Sequence, residues 1–292
     1  MIALPDPILL ATDGSEDAQA AAHAAADLAR LTSAELHVVH VRQRGHLPLP
    51  GEAGETAGEE QGQAVLERAV AMVRAAGVAD VVGHLREGRA VDEILAVADL
   101  ADAGLVVLGS RGLGAVQRVV VGSVSEGVVH HSTRPVLVLR AGRHSWPPER
   151  VVIGDDASVD ARRAGDLGAS IGHMFGTTAV VVRALSRLPR MLDGEVDADA
   201  RTVDDALRVA ETSLAQRAQE LAPVLGQRPR IHVAIDDPAA ALLSLAKEDG
   251  GAALIAVGTR GLGPVQRWRF GSVSTDVLRG APGAVLINAH PH

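Results

Sequence analysis

The amino-acid sequence predicts an α/β protein built as two tandem open-sheet domains, each a five-stranded parallel sheet with helices on both faces. Three observations carry the prediction. One long glycine-spaced pattern occurs twice, short apolar runs recur in the same order in both halves, and Ala-rich stretches of helical spacing lie between those runs. Strands that alternate with helices imply a parallel sheet covered on both faces.

The elements follow in order. The run from Ile8, ILLATDGSEDA, starts as a buried strand, breaks at Asp13-Gly14-Ser15 and leads into a helix over Ala18 to Leu31. LHVVHV at Leu36 to Val41 is the second strand. The Gly-, Pro- and acid-rich segment 43–63 reads as a mobile loop. Helical spacing resumes over Ala64 to Ala76 and Val91 to Ala101, LVVLG at Leu105 to Gly109 is a strand, and PVLVL from Pro135 closes the half. The segment AGRHSWPPER, with two prolines among charges, marks the boundary, so we divide the chain into 1–141, a linker 142–149, and 150–292. VVIGDDASVDA from Val151 repeats the first element, AVVVRA at Ala179 to Ala184 the second strand, LIAVG at Leu254 to Gly258 the fourth and AVLIN from Ala284 the last. Segment 186–204 is the second expected mobile loop.

Composition excludes several classes of function. At 292 residues there is length for two cores, and with aromatics at 1% those cores are close-packed Val, Leu, Ile and Ala. A formal charge of -8 argues against a nucleic-acid partner. No stretch approaches the roughly 18 apolar residues of a membrane span, and the acidic, proline-containing start does not read as a signal peptide, so a cytoplasmic location is expected. Zero cysteines rule out a disulfide framework, a thiol nucleophile and a Cys-ligated metal.

The chemistry lies in the repeated pattern. GSRGLGAVQRVVVGSVS at Gly109 to Ser125 returns as GTRGLGPVQRWRFGSVS at Gly258 to Ser274. Glycines at the end of a buried strand let the backbone turn and approach a ligand closely. Ser123 with Glu126 three residues on has capping-box spacing, so a helix is expected to start there, and the amides at such a start attract phosphate oxygens. Arg111 and Arg118 in the first loop, Arg260 and Arg267 in the second, offer forked donors suited to phosphate. Arginine is nearly the sole basic residue type of this chain, so composition accounts for these four as readily as ligand binding does. A tight turn would explain a single G-x-x-G, but not the extended, duplicated pattern. Neither G-x-x-x-x-G-K-[ST] nor a G-x-G-x-x-G after the first strand occurs.

The G-2x-G-9x-G-[ST] spacing with the early D-G-S resembles the universal stress protein family, ATP-binding type, in its tandem two-domain form. The resemblance covers nearly the whole chain apart from the linker and the two loops. It implies a Rossmann-like sheet of order 3-2-1-4-5 in each half, with ATP across the strand ends at the switch in strand order. It further implies that Asp13 and Asp156 lie beside the ribose or phosphates, with magnesium as a partner through the phosphates, and that Val41 and Ala184 meet the adenine edge. Gly14 belongs to the same first turn. Gly109, Ser110, Arg111, Gly112, Arg118, Gly122, Ser123, Val124 and Ser125 are expected to wrap the ribose and phosphates in the first copy. Gly258, Thr259, Arg260, Gly261, Arg267, Gly271, Ser272, Val273 and Ser274 are their counterparts. For Asp13 and Asp156 a second reading stands, as charges complementing a helix N-terminus. The second copy departs from the pattern where Gly14 becomes Ala157, where Gly88 of the E-G-R-A turn becomes Asp237, and where Val119-Val120-Val121 becomes Trp268-Arg269-Phe270.

Other chemistry finds less support. Twelve histidines form no H-E-x-x-H, His130 and His131 point apart on a helix, and His37 and His40 fall on opposite faces of a strand, so no protein-held metal is expected. G-x-S-x-G is absent, and no nucleophile with a base partner can be named. The function expected is therefore that of an ATP-binding, nucleotide-dependent regulatory or stress-response module without dedicated catalysis. The alternatives are a slow ATPase or nucleotide-transfer enzyme, and a structural pseudo-dimer with vestigial sites. Pairing of the halves, a further homo-oligomer and an unidentified protein partner are expected with the first reading.

Overall fold

A computed structural model describes residues 6–42, 55–112, 121–142, 146–185, 200–250, 252–259 and 271–288. The first half contains β1 (Ile8–Ala11), α1 (Glu16–Thr32), β2 (Leu36–Arg42), α2 (Glu55–Ala75), β3 (Val81–Glu87), α3 (Ala90–Leu100), β4 (Leu105–Gly109), α4 (Ser123–His131) and β5 (Val136–Leu139). The second half contains β6 (Arg150–Gly154), α5 (Val159–Met174), β7 (Thr178–Ala184), α6 (Ala200–Leu225), β8 (Arg230–Ala234), α7 (Pro238–Lys247), β9 (Ala253–Gly258), α8 (Ser272–Gly280) and β10 (Ala284–Asn288). The chain divides into two compact units, one formed from residues 4–147 with 283–292 and the other mainly from 148–282.

In the first unit the strands run in the order β3-β2-β1-β4-β5, all parallel, as expected. Ile8 stands opposite both Leu36 and Leu105, so Ala11 and Gly109 end together at the carboxyl edge of the sheet. β1, β4 and β5 are buried along their length, which is why they read as continuous apolar runs. α1 packs with α2, and α3 with α4. Small residues set how closely α1 lies on the sheet: Ala21, Ala24 and Ala25 are fully buried. β10 also belongs to this unit and runs antiparallel to β5, with Leu286 opposite Leu137. An edge strand as apolar as β5 is a pairing hazard when open, and β10 covers it.

The second unit repeats the plan as β8-β7-β6-β9, again parallel. Its first turn answers one of the departures. Gly14 has φ of +81°, and Ala157, which replaces it, keeps the left-handed backbone at +66°. For alanine that conformation costs about 1–2 kcal/mol.

Three expectations need correction. Residues 55–63 of the first supposed loop are the start of α2, and α6 begins at Ala200 inside the second. Glycines at 58 and 62 argued for a loop, but Gly62 serves packing. A Cβ at Gly62 would lie 2.7 Å from the Arg42 side chain, so glycine lets this helix cross β2 closely. The capping box does not form: Gly122 is the N-cap of α4, Ser123 is its first helical residue, and no side chain caps it. In the third turn the helix starts align Arg89 with Asp237, one residue from the expected match of Gly88. Within the linker, Trp146 is tied to α1 by a 3.1 Å bond from its indole to Asp27.

Candidate functional site

Two loops meet where strand order reverses, between β1 and β4. In the first, Asp13 Oδ1 accepts the Ser15 amide at 3.0 Å and Gly14 takes the left-handed turn. Ser15 then caps α1 by accepting the Ala18 amide, and its hydroxyl donates to the Arg111 carbonyl at 3.1 Å. That last bond fastens the first loop to the second. Gly112 completes the junction, since a Cβ there would lie 2.5 Å from Asp13 Oδ2. With any larger residue at this position the Asp13 carboxylate would have to swing away from this stretch of backbone.

The second loop closes on itself. The Gly122 amide donates to the Ser110 carbonyl at 2.7 Å, and the Ser125 hydroxyl reaches the same carbonyl at 2.8 Å. These bonds hold the start of α4 beside the end of β4. Gly109 has a packing role that the spacing did not reveal: a Cβ would lie 2.7 Å from the Ala18 nitrogen and the Asp17 carbonyl carbon, both backbone atoms of α1. Gly258 repeats this against Ala161 and Asp160.

Beneath the loop lies a charge centre that sequence reasoning missed. Asp17, with 4% of its side chain exposed, accepts from the Ser110 hydroxyl (2.7 Å), from Arg111 Nε (3.1 Å) and from the Ala141 amide (2.8 Å). Burial opposes its charge, but the bonds from Arg111, Ser110 and Ala141 outweigh it and hold the carboxyl below its ordinary range. Arg140, 3.4 Å from the Ser110 hydroxyl, is pushed down by burial and by Arg111, with Asp17 opposing. Two guanidiniums around one carboxylate leave the floor of the loop positive. Arg111 therefore acts from below, committed to Asp17. A signal existed, because the acid recurs in both copies as S-E-D-A and S-V-D-A, and Asp160 accepts from the Thr259 hydroxyl at 3.3 Å.

A cleft of about 790 Å³ is lined by Glu87, Gly88, Arg89, Ala90, Val91, Ser123 and Val124; Asp13 and the residues from Gly109 to Gly112 are not in its lining. Its walls are the starts of α3 and α4, and neither start carries a side-chain cap. Two sets of helix N-terminal amides thus border one opening, which suits an anion. Val41 is level with Arg86 at the end of β2, next to this turn.

The second copy builds its counterpart differently. Asp156 Oδ1 accepts the Ser158 amide at 2.9 Å, as Asp13 does, and Ser158 caps α5. The Gly271 amide donates to the Thr259 carbonyl at 2.8 Å, Ser274 bonds back to Gly271, and Ser272 and Val273 open α8. Ala184 ends β7, level with Ala234. Beside it, however, Asp155 replaces Thr12 and Arg183 replaces His40, and the two form a 2.6 Å ion pair. Arg217, 5% exposed, stands 3.7 Å from Asp155 and 2.7 Å from Asp166. In the first copy the same place holds the His40 ring, 2.8 Å from the Thr12 carbonyl. Arg118, Arg260, Gly261, Arg267 and the Trp268-Arg269-Phe270 run lie outside the described residues.

Histidines supply one unexpected pair. His37 and His84 stack with rings 10° apart and their nitrogens 2.8 Å from each other. Burial, then His37 and Arg86, lowers the His84 pKa. Among the described residues no three His, Asp or Glu side chains form a metal-holding group. No helix among them is long and apolar enough to cross a membrane.

Comparison with known proteins agrees with the architecture. The sequence profile of the universal stress protein family matches residues 5–140 and again 148–288. A universal stress protein of Thermus aquaticus is 41% identical over 138 residues, covering 46% of this chain and 97% of that one. One of Mycobacterium tuberculosis is 28% identical over 295 residues, covering 96% of both. The crystal structure of a universal stress protein from Archaeoglobus fulgidus has the same fold, with a TM-score of 0.71 at 23% identity and 98% of both chains covered.

Proposed function

The chain belongs to the universal stress protein family, and from that premise we propose that it binds ATP at the glycine loop and acts as a nucleotide-dependent regulatory module in the cytoplasm. The observation that carries the reading is the pair of uncapped helix starts, α3 and α4, that border one cleft, together with the cluster of Arg111, Arg140 and Asp17 at the end of β4. Phosphates would sit against the amides of Ser123, Val124 and Ser125, with the Ser123 hydroxyl as an added donor, and the base would lie towards Val41. A hard cation such as magnesium fits the Asp13 carboxylate oxygens only if the phosphates supply most of its ligands. In this reading occupancy, not turnover, is the output, and it governs contact with a protein partner or another copy of the chain.

Thermal unfolding with a single-turnover phosphate assay tests this. ATP at about 100 times its dissociation constant stabilises by about 2.7 kcal/mol, which for a unit of this size raises Tm by roughly 5–10 °C. Phosphate release stays at the buffer rate. No shift in Tm would favour vestigial sites, and rapid release would favour the ATPase.

A further inference from the structure

We infer that each chain holds one nucleotide, in its first half, and that the second half has lost its anion seat while keeping the fold that once framed it. The inference rests on the nucleotide reading above and concerns which copy carries it out. Four differences between aligned positions support it: three change the charge or the free amides that a phosphate would meet, and the fourth strains the first turn.

The first is at the third helix of each half. α3 begins after Arg89, whose side chain is 86% exposed and pairs only with Asp92 among the described residues, and its first amides border the cleft. In α7 the aligned cap is Asp237, which already accepts the Ala240 amide at 2.9 Å, and the next residue is Pro238, which has no amide hydrogen. A cation has become an anion, and the helix end is satisfied from within. Asp236, aligned with Gly88, adds a second carboxylate to the same turn.

The second difference is Asp155 in place of Thr12. Its carboxylate, 2% exposed, is locked by Arg183 and approached by Arg217, so the arginines that entered this region are spent on a buried acid rather than offered to a ligand. The third is in the last strand: in the alignment that pairs PVLVLR with AVLINA, Arg140 has Ala289 as its counterpart, and half of the positive charge beneath the first loop has no equivalent in the sequence. The fourth is Ala157, held left-handed where Gly14 turns without strain. The loop glycines alone, which both copies share, do not register any of these changes.

The test counts ATP on the full-length chain by native mass spectrometry and by calorimetric titration, using Ser123→Asp and Ser272→Asp. Both serines are exposed first residues of their helices, where an acid favours the helix end, so Tm without nucleotide should be unchanged or raised in each variant. We expect one ATP per chain, affinity weakened by ~100-fold in Ser123→Asp through like-charge repulsion, and no change in count or affinity in Ser272→Asp. Two ATP per chain, or one that Ser272→Asp removes, overturns the inference and leaves nucleotide binding standing. No ATP on the wild-type chain overturns both at once.

Discussion

Replacing Asp17 with alanine is expected to lower stability by about 3–5 kcal/mol and Tm by roughly 10 °C. The side chain is 4% exposed and joins three segments: α1, the loop after β4, and the backbone at Ala141. Without it Arg111 and Arg140 face each other over a hole with no counter-charge. The effect depends on pH with a definite sign. The folded-state pKa lies below that of the unfolded chain, so the contribution is complete above about pH 4 and disappears as pH falls through the depressed folded value. Melting curves of wild type and Asp17→Ala should therefore stand far apart at pH 7 and draw together in strong acid. Curves that coincide at pH 7 would remove Asp17 from any account of how this loop is held.

Gly109→Ala is the second large effect. The added carbon would press on two backbone atoms of α1 at 2.7 Å, which no rotamer change relieves. The expected loss is about 3 kcal/mol, the upper end for overpacking, and the urea midpoint should fall by roughly 1–2 M with the slope unchanged. Gly142→Ala serves as the reference, because a Cβ there meets nothing within 4 Å. Since Ser110 follows directly, ATP affinity should fall in the same variant. Equal midpoints for the two variants would mean that α1 is not seated as closely as described.

Much of the architecture was legible because it rests on period and repetition. Continuous apolar runs such as LVVLG mark strands buried on both faces, and their order gave a parallel sheet. The glycine pattern likewise marked the loop. What escaped had a consistent character. Gly62 looks like a helix breaker until the close passage over Arg42 is known. Ser123 and Glu126 have the spacing of a capping box, but Gly122 occupies the cap, which leaves the serine exposed at the cleft. Asp17 and Asp160 read as ordinary first-turn acids, because a helix start welcomes them on electrostatic grounds alone. Their burial and their bonds to Ser110 and Thr259 depend on contacts 93 and 99 residues away in sequence.

The central claim is that main-chain amides at the start of α4 grip the phosphates, and amide nuclear magnetic resonance during an ATP titration tests it most directly. The largest shifts should fall on Ser123, Val124 and Ser125, with smaller ones at Gly88 to Val91 and none at Gly271 to Ser274. Saturable binding that leaves the Ser123 to Ser125 amides unmoved would contradict the account, whatever its affinity.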